Sequence, residues 1–433
     1  MRNLNYNIGL VTKRTLTPFQ VEGVSHLLKH HYTILADDMG LGKITQAIVA
    51  AMIAGERIIV VCPAYIRKNL QREVYKIIKK FRFVHMIESG KDIASWNEGH
   101  DIAIISYSLF YRMKHRLKFY GTWIFDECHY LKNPSSGRTK EVYKMLDEHI
   151  PKRVMLLSGT PAENYIHEYY SLLAICSANP KDTSGLDIIK NYPTKDKFLE
   201  RFCNRVLSQH NRGPEYHGVK NIPLLIKYFK GKYLRRETAD VHLLPSMNSQ
   251  FVKIITEVSY IDLAWELLEA GDLEEIHPPT EKRLNAMAKV PECIKFVKDI
   301  LSQGEKVVVF TDHPDAAKLI SEGIKNSAYI IGGMSDKKRD KVNIDFQEGD
   351  LRCAVLTYGA GAAGLNWTAG RITVLSDITY KAKLIQQAKK RTNRMGQNRD
   401  CLYYYLVSSE IDEMIIRKVE SKIKDLNKLE SQI

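Results

Sequence analysis

Nowhere does this chain of 433 residues carry an apolar run approaching the about 20 residues that a membrane-spanning helix needs. Its first residues, Met1-Arg2-Asn3-Leu4-Asn5, lack the apolar core of a signal peptide. The seven cysteines are scattered and form no CxxC pair, and Cys62, Cys353 and Cys401 fall inside apolar runs. That argues against a disulfide framework and a zinc site, and for an intracellular protein with reduced thiols. The expected compartment is the cytoplasm for a microbial or viral source and the nucleus for a eukaryotic one. Internal repeats, low-complexity tails and long linkers are missing as well. What the chain has in excess is positive charge, 64 Lys and Arg against 50 Asp and Glu, a net +14. Such a balance favours a polyanionic partner through counterion release, although solubility alone would also account for it.

The two halves share one pattern. In the first, short β-branched runs at Tyr32–Ala36, Arg57–Cys62, Asp101–Ser106, Thr122–Asp126 and Arg153–Ser158 read as strands. In the second, Lys306–Thr311, Ala328–Ile331, Leu351–Thr357, Arg371–Ser376 and Cys401–Val407 do the same, with helical patterns at Pro314–Gly323, Ser335–Gln347, Lys383–Arg394 and Ile411–Leu429. Continuous apolar strands alternating with helices predict an α/β protein with two RecA-like, doubly wound parallel-sheet lobes and helical insertions. The expected boundaries are residues 1–164 for the first lobe, 165–245 for a helical, basic insertion packed on it, and 246–433 for the second lobe, with a small helical insertion at about 260–290. The larger insertion carries Arg201, Arg205, Arg212, Lys220, Lys227, Lys230, Lys232, Arg235 and Arg236 against few acids. A solvated helical face or a surface for nucleic acid explains that run. The acidic stretch Asp272-Leu273-Glu274-Glu275 reads as solvated surface.

Five motifs carry chemistry. Asp37-Asp38-Met39-Gly40-Leu41-Gly42-Lys43 lies between a strand and a helix start, where converging backbone N–H groups and the helix terminus attract a phosphate. Lys43 reaches the outer phosphates of a nucleoside triphosphate, although Asp37 stands where a strict P-loop has its first glycine. Asp126-Glu127-Cys128-His129 ends another strand. Asp126 can hold Mg²⁺, and Glu127 can orient or deprotonate the attacking water. Ser158-Gly159-Thr160-Pro161 can bond the acidic pair. Gln20 carries the donor and acceptor that match an adenine edge. In the second half, Arg391 and Arg394 are three apart, which puts both on one face of the expected helix. Such a face can neutralise a transferred phosphoryl group, or it is simply a basic amphipathic helix.

This ordered set resembles the superfamily-two helicases and, within them, the Swi/Snf-type double-stranded-DNA translocases. The resemblance rests on Gln20, Asp37 to Lys43, Cys62-Pro63-Ala64, Ile105-Ser106-Tyr107, Asp126 to His129 with Leu131-Lys132-Asn133, Ser158 to Pro161 with Asn164, Tyr233-Leu234-Arg235-Arg236, Gly359 to Asn366, and Gln387 to Gln397. It covers nearly the whole chain, and the compact insertions look most like the annealing-helicase branch and its bacterial and viral relatives. The resemblance implies ATP and Mg²⁺ as cofactors. It implies nucleotide contacts from Gln20, Asp38, Met39, Gly40, Leu41, Gly42, Lys43, Ile44, Thr45, Gly364 and Gln397. Catalytic roles fall to Lys43, Glu127, Arg391 and Arg394, and the metal to Asp126. Duplex DNA is the implied partner of a monomer, touched at its phosphates by Lys132, Asn133, Arg235 and Arg236.

The chain departs from that pattern in places. Ile44 stands where a Thr or Ser would ligate Mg²⁺, and Thr45 follows about 100° further round the helix. Cys128 replaces the commoner Ala or Gly, and Lys389-Lys390 stands where acids are usual. The reading is therefore an ATP-dependent translocase on double-stranded DNA. The alternative is an ATP-gated DNA clamp with weak hydrolysis because of Ile44. An RNA helicase would fit the lobes but not the family-specific strings.

Overall fold

The computed structural model describes residues 2–79, 83–95, 101–181, 186–206, 215–241, 245–269, 278–361, 367–394 and 396–433. The chain divides into two compact units. One is Met1–His242 together with Lys424–Ile433; the other is Leu243–Ile423.

The first unit is built on strands β1 (Tyr32–Leu35), β2 (Ile58–Cys62), β3 (Val84–Ile87), β4 (Ile102–Ser106), β5 (Thr122–Asp126) and β6 (Arg153–Leu157). A short hairpin, β7 (Asn204–Val206) with β8 (Glu215–His217), lies in the insertion, and β9 (Tyr233–Leu234) closes it. The main sheet runs β3-β4-β2-β5-β6-β1-β9, and its pairings are parallel. Strands such as β2 (Ile-Ile-Val-Val-Cys) and β4 are buried at every residue. Continuous apolar runs of this kind are what a sheet covered on both faces requires. One face meets helices Pro18–Lys29, Lys43–Ile53 and Arg67–Ile77 through Val24, Leu27, Ala47, Ile48, Leu70 and Val74. The other shares its core with the insertion, where Tyr169, Leu173, Phe198, Phe202, Leu225 and Phe229 join Trp123 and Phe125.

The second unit holds β10 (Met247–Lys253), β11 (Val307–Thr311), β12 (Ser327–Ile330), β13 (Cys353–Thr357), β14 (Ile372–Leu375) and β15 (Cys401–Val407). They form a sheet in the order β10-β15-β14-β11-β13-β12, again with parallel pairings. Helices Val290–Ser302, Pro314–Glu322, Asp336–Glu348 and Ala382–Thr392 are interleaved with these strands. A buried ion pair, Lys289 Nζ to Asp412 at 3.1 Å, anchors the start of the last helix, Glu410–Glu430. Asn285 Nδ2 and the Ser408 backbone N–H donate to the same carboxylate.

Both lobes and their parallel sheets match the sequence expectation. Three strands of these sheets are additional. β3 reads Val-His-Met-Ile and β9 spans two residues, both too short to stand out. β10, Met-Asn-Ser-Gln-Phe-Val-Lys, is largely exposed and polar, so it lacks the apolar run that marks its neighbours. The acidic stretch 272–275, Arg212 and Gly364 lie outside the described residues.

His26 is part of the packing beneath β1, its Nε2 2.9 Å from Thr33 Oγ1. Burial first, then the charges of His30, Arg236 and Lys29, pushes it down to about 4. Below pH 6.5 the unfolded chain therefore takes up a proton that the folded chain refuses, and stability falls with pH until about 4. In urea unfolding followed by tryptophan fluorescence, His26→Gln should lose about 2 kcal/mol less than wild type between pH 7 and 5. An equal loss in both proteins would remove His26 as the cause.

Candidate functional site

The phosphate loop leaves β1 and enters helix Lys43–Ile53 through two glycines with positive φ, Gly40 at 88° and Gly42 at 75°. A side chain at either position would be strained, and a Cβ on Gly42 would lie 2.6 Å from Gln20 Nε2. Lys43 Nζ donates to the carbonyls of Asp37 (2.8 Å) and Asp38 (3.1 Å), so the lysine folds back along its own loop. Burial lowers its pKa, and the negative charges of Glu127, Asp126, Asp37 and Asp38 work against that. A Cβ on Gly159 would lie 3.0 Å from Met39 Cγ and 3.5 Å from Lys43 Nζ. The Ser158-Gly159-Thr160 turn therefore presses directly on the loop.

Asp126 and Glu127 close the third side. Glu127 sits in the left-handed region at φ 53°, ψ 51°, a strained conformation for a non-glycine residue of the kind that functional sites hold by surrounding contacts. Those contacts are Ser158 Oγ, donating to Glu127 Oε2 at 3.4 Å, and His129 Nδ1 at 3.2 Å. Burial opposes charge on His129, but the hydrogen bond to Glu127 and the negative charges of Glu127 and Glu163 together outweigh it and raise the ring's pKa. The Asp126 carboxyl is also raised, by burial and then by the neighbouring Glu127 charge, with Lys43 pulling the other way. Two carboxylates crowded in this way are relieved by a divalent cation. Mg²⁺ is usually held by one or two carboxylates with substrate phosphates and water, so Asp126 fits as a protein ligand.

The loop itself contributes less to that ion than its length suggests. The Ile44 side chain carries no oxygen. Thr45 is buried, and its hydroxyl accepts from Arg14 Nη1 at 3.4 Å, while Arg14 Nη2 is paired with Glu73 at 2.9 Å. Gln20 is tied to the same loop: its Oε1 accepts from Thr17 N (3.2 Å) and its Nε2 donates to Leu41 O (3.2 Å).

The residues expected at DNA separate. Asn133 is exposed and caps a turn by accepting from Ser135 N at 3.1 Å. Lys132 pairs with Glu163, and with Glu168 at 3.5 Å. Arg235 lies 3.4 Å from both Glu237 and Glu430. Arg236 does not face DNA phosphates: its guanidinium is buried against Asp37 at 2.6 Å, where burial and pairing commit it to the loop.

Within the second unit, Arg391 is buried on helix Ala382–Thr392. Arg394 does not share that helix face, because the helix stops at Thr392 and Asn393 is extended at φ −92°, ψ 91°. Asn393 Nδ2 donates instead to Pro245 O at 2.8 Å. Gln397 holds a turn together: Nε2 reaches the carbonyls of Thr368 (3.1 Å), Gly370 (3.2 Å) and Thr392 (3.3 Å), and Oε1 accepts from Asn398 N and Arg399 N. Lys389, pushed down to about 8 by burial, lies over the rings of Tyr403 and Tyr405, each at 5.1 Å, and donates to Ser249. Arg14, Gly23 and Gln46 were not expected at this site, yet each packs against a motif residue.

A profile of the SNF2-related domain matches residues 19–251 of this chain. The chain belongs to the SNF2-related family. The helicase conserved C-terminal domain matches residues 290–396, which completes a helicase-like ATPase of that family. Among curated proteins, the Xenopus tropicalis SWI/SNF-related matrix-associated actin-dependent regulator of chromatin subfamily A-like protein 1 is 28% identical over 95% of this chain and 44% of its own length. The human DNA annealing helicase and endonuclease ZRANB3 is 24% identical over 91% of this chain and 38% of its own. The chain thus spans less than half of either relative. A solved Sulfolobus solfataricus SWI2/SNF2 ATPase core in complex with dsDNA is 22% identical, with a TM-score of 0.46, over 94% of this chain and 91% of that one.

For this SNF2-related chain, the swapped Ile44-Thr45 order has a direct consequence. Ile44→Thr should lower the Mg²⁺ concentration needed for half-maximal binding of a fluorescent ATP analogue by about threefold or more, by restoring an oxygen ligand. An unchanged Mg²⁺ dependence would show that position 44 does not face the metal.

Proposed function

We propose that this chain is an ATP-dependent translocase on double-stranded DNA. The observation that carries the reading is the meeting of Lys43, the Asp126-Glu127 pair and the Ser158-Gly159 turn at one end of the first sheet, in a chain of the SNF2-related family. In this reading Lys43 exchanges its two loop carbonyls for the β- and γ-phosphates of ATP. Glu127, held by Ser158 and His129, orients and deprotonates the attacking water. Bound through Asp126, Mg²⁺ supplies charge neutralisation at the phosphates. Gln20 supports the loop and meets the base.

The excess of 64 basic over 50 acidic residues supports DNA as the polyanion. Contacts with its phosphates give little sequence preference. Strand annealing, fork remodelling or protein displacement are the outputs this motor fits, and the name of the human relative, a DNA annealing helicase, agrees with the first. Ile44, with Thr45 already engaged by Arg14, favours one other reading, an ATP-gated clamp on DNA that hydrolyses little.

Steady-state ATP hydrolysis with no polymer, duplex DNA, single-stranded DNA and RNA separates these. The translocase reading expects strong stimulation by duplex DNA, and a rate at least about 100-fold lower in Lys43→Ala. Turnover no higher than Lys43→Ala, with DNA binding intact, would leave the clamp.

A further inference from the structure

The phosphate loop opens with a carboxylate, not a glycine, and the structure shows what that carboxylate meets. Asp37 is fully buried. Arg236 Nε donates to its Oδ1 at 2.9 Å and Nη2 to its Oδ2 at 2.6 Å, a bidentate fork. The second Nη2 hydrogen goes to Gln46 Oε1 at 2.9 Å. Nη1 meets the Phe19 carbonyl, and Glu22 Oε2 at 3.5 Å. The guanidinium also lies over the Phe19 ring, 5.4 Å from its centroid. All five N–H donors of this arginine are thereby engaged.

The network continues to the far end of the loop. Gln46 Nε2 donates to Asp37 Oδ2 (3.0 Å) and to Leu41 O (3.1 Å). The backbone follows the same course. Ala36 N donates to Leu234 O (2.7 Å) and Asp38 N to Arg236 O (2.9 Å), so the ladder of β1 and β9 runs on into the loop. Asp38 in turn accepts from Thr238 N (3.1 Å) and Thr238 Oγ1 (3.2 Å). Gly23, on helix Pro18–Lys29, marks how tightly this is packed. A Cβ there would lie 1.7 Å from Gln46 Oε1 and 2.7 Å from Arg236 Nη2.

We propose that Arg236 is a positioning residue for the triphosphate. It acts through Asp37 and Gln46 to fix the loop's shape, and it cancels a negative charge that would otherwise face the phosphates. The inference rests on the ATP-site reading above. Because Arg236 follows directly on β9, where the basic insertion returns to the sheet, the loop and the exit of that insertion form one hydrogen-bonded piece. Loss of the arginine leaves a buried carboxylate unpaired beside a polyanion site, a loss of both shape and charge balance.

The test is the dissociation constant of a mant-labelled ATP with Mg²⁺, read by fluorescence, with thermal unfolding run on each variant. Arg236→Gln should weaken binding by about tenfold or more. Adding Asp37→Asn to it should restore much of the loss, because the unpaired charge is removed; a role in general stability alone would lower the unfolding temperature of Arg236→Gln and leave the affinity of the folded protein unchanged. Arg236→Lys keeps the charge but not the fork, and should fall between wild type and Arg236→Gln. Gly23→Ala removes no group of the network and adds helix propensity, but its Cβ must displace Gln46 and Arg236, so binding should weaken in the folded variant. Wild-type affinity in folded Arg236→Lys and Gly23→Ala would overturn the proposal. If the wild-type protein itself fails to bind the nucleotide, the ATP-site reading falls first and takes the positioning role with it.

Discussion

Leu157 stands opposite Leu35 on one side and Asp126 on the other. That one register, β1 with β6 and β6 with β5, brings the phosphate loop, the Ser158 turn and the acidic pair to the same level of the first sheet. Parallel strands end together on one edge, and a ligand site forms where the chain leaves them. A one-residue slip in either pairing would turn every side chain of that strand to the opposite face of the sheet. The complete burial of β2, β4 and the middle of β5 holds the register. Moving Ile104, Ile124 or Phe125 out of its place would disturb packing on two faces at once.

Charge is the second constraint. The site gathers the buried Asp37, Asp38 and Arg236 with the half-buried Lys43, Asp126 and Glu127. Buried charges are tolerated when they are paired and hydrogen-bonded. Asp37 is answered by Arg236, Asp38 by Thr238, and Lys43 by two carbonyls, while Glu127 leans on Ser158 and His129. The surroundings of Asp126 resist a negative charge, which is the condition a bound cation reverses. The most heavily engaged cation of the first unit's site, Arg236, reaches it from a segment nearly 200 residues away along the chain.

Much of this was legible in the residues. The β-branched runs and the helices between them located ten of the strands, because strands buried on both faces are written as unbroken apolar runs. The glycine loop, the Asp-Glu pair and the Ser-Gly-Thr turn were visible because their chemistry needs those residue types next to strand ends. β9 and β10 were not, since a two-residue edge and a polar edge carry no such signature. The placing of Arg394 failed because helix periodicity does not report where a helix ends. Asn393 takes an extended conformation and Arg394 leaves the face of Arg391. Arg236 read as a surface cation beside other cations, when the backbone pairing of β9 with β1 carries it into the interior.

The sequence by itself determined the family, the parallel α/β architecture and the identity of the groups gathered at the end of the first sheet. Those follow from local patterns of a few residues each: an apolar run, a glycine where φ must be positive, a carboxylate at a strand end. Tertiary structure alone decided which charges are shared between distant segments. Asp37 looks like a defect in the loop until Arg236 arrives on the neighbouring strand, and Thr45 looks like a displaced metal ligand until Arg14 takes its hydroxyl. A one-dimensional pattern cannot assign such partners, because the pairing depends on which strand lies beside which, and that is set by packing over the whole sheet.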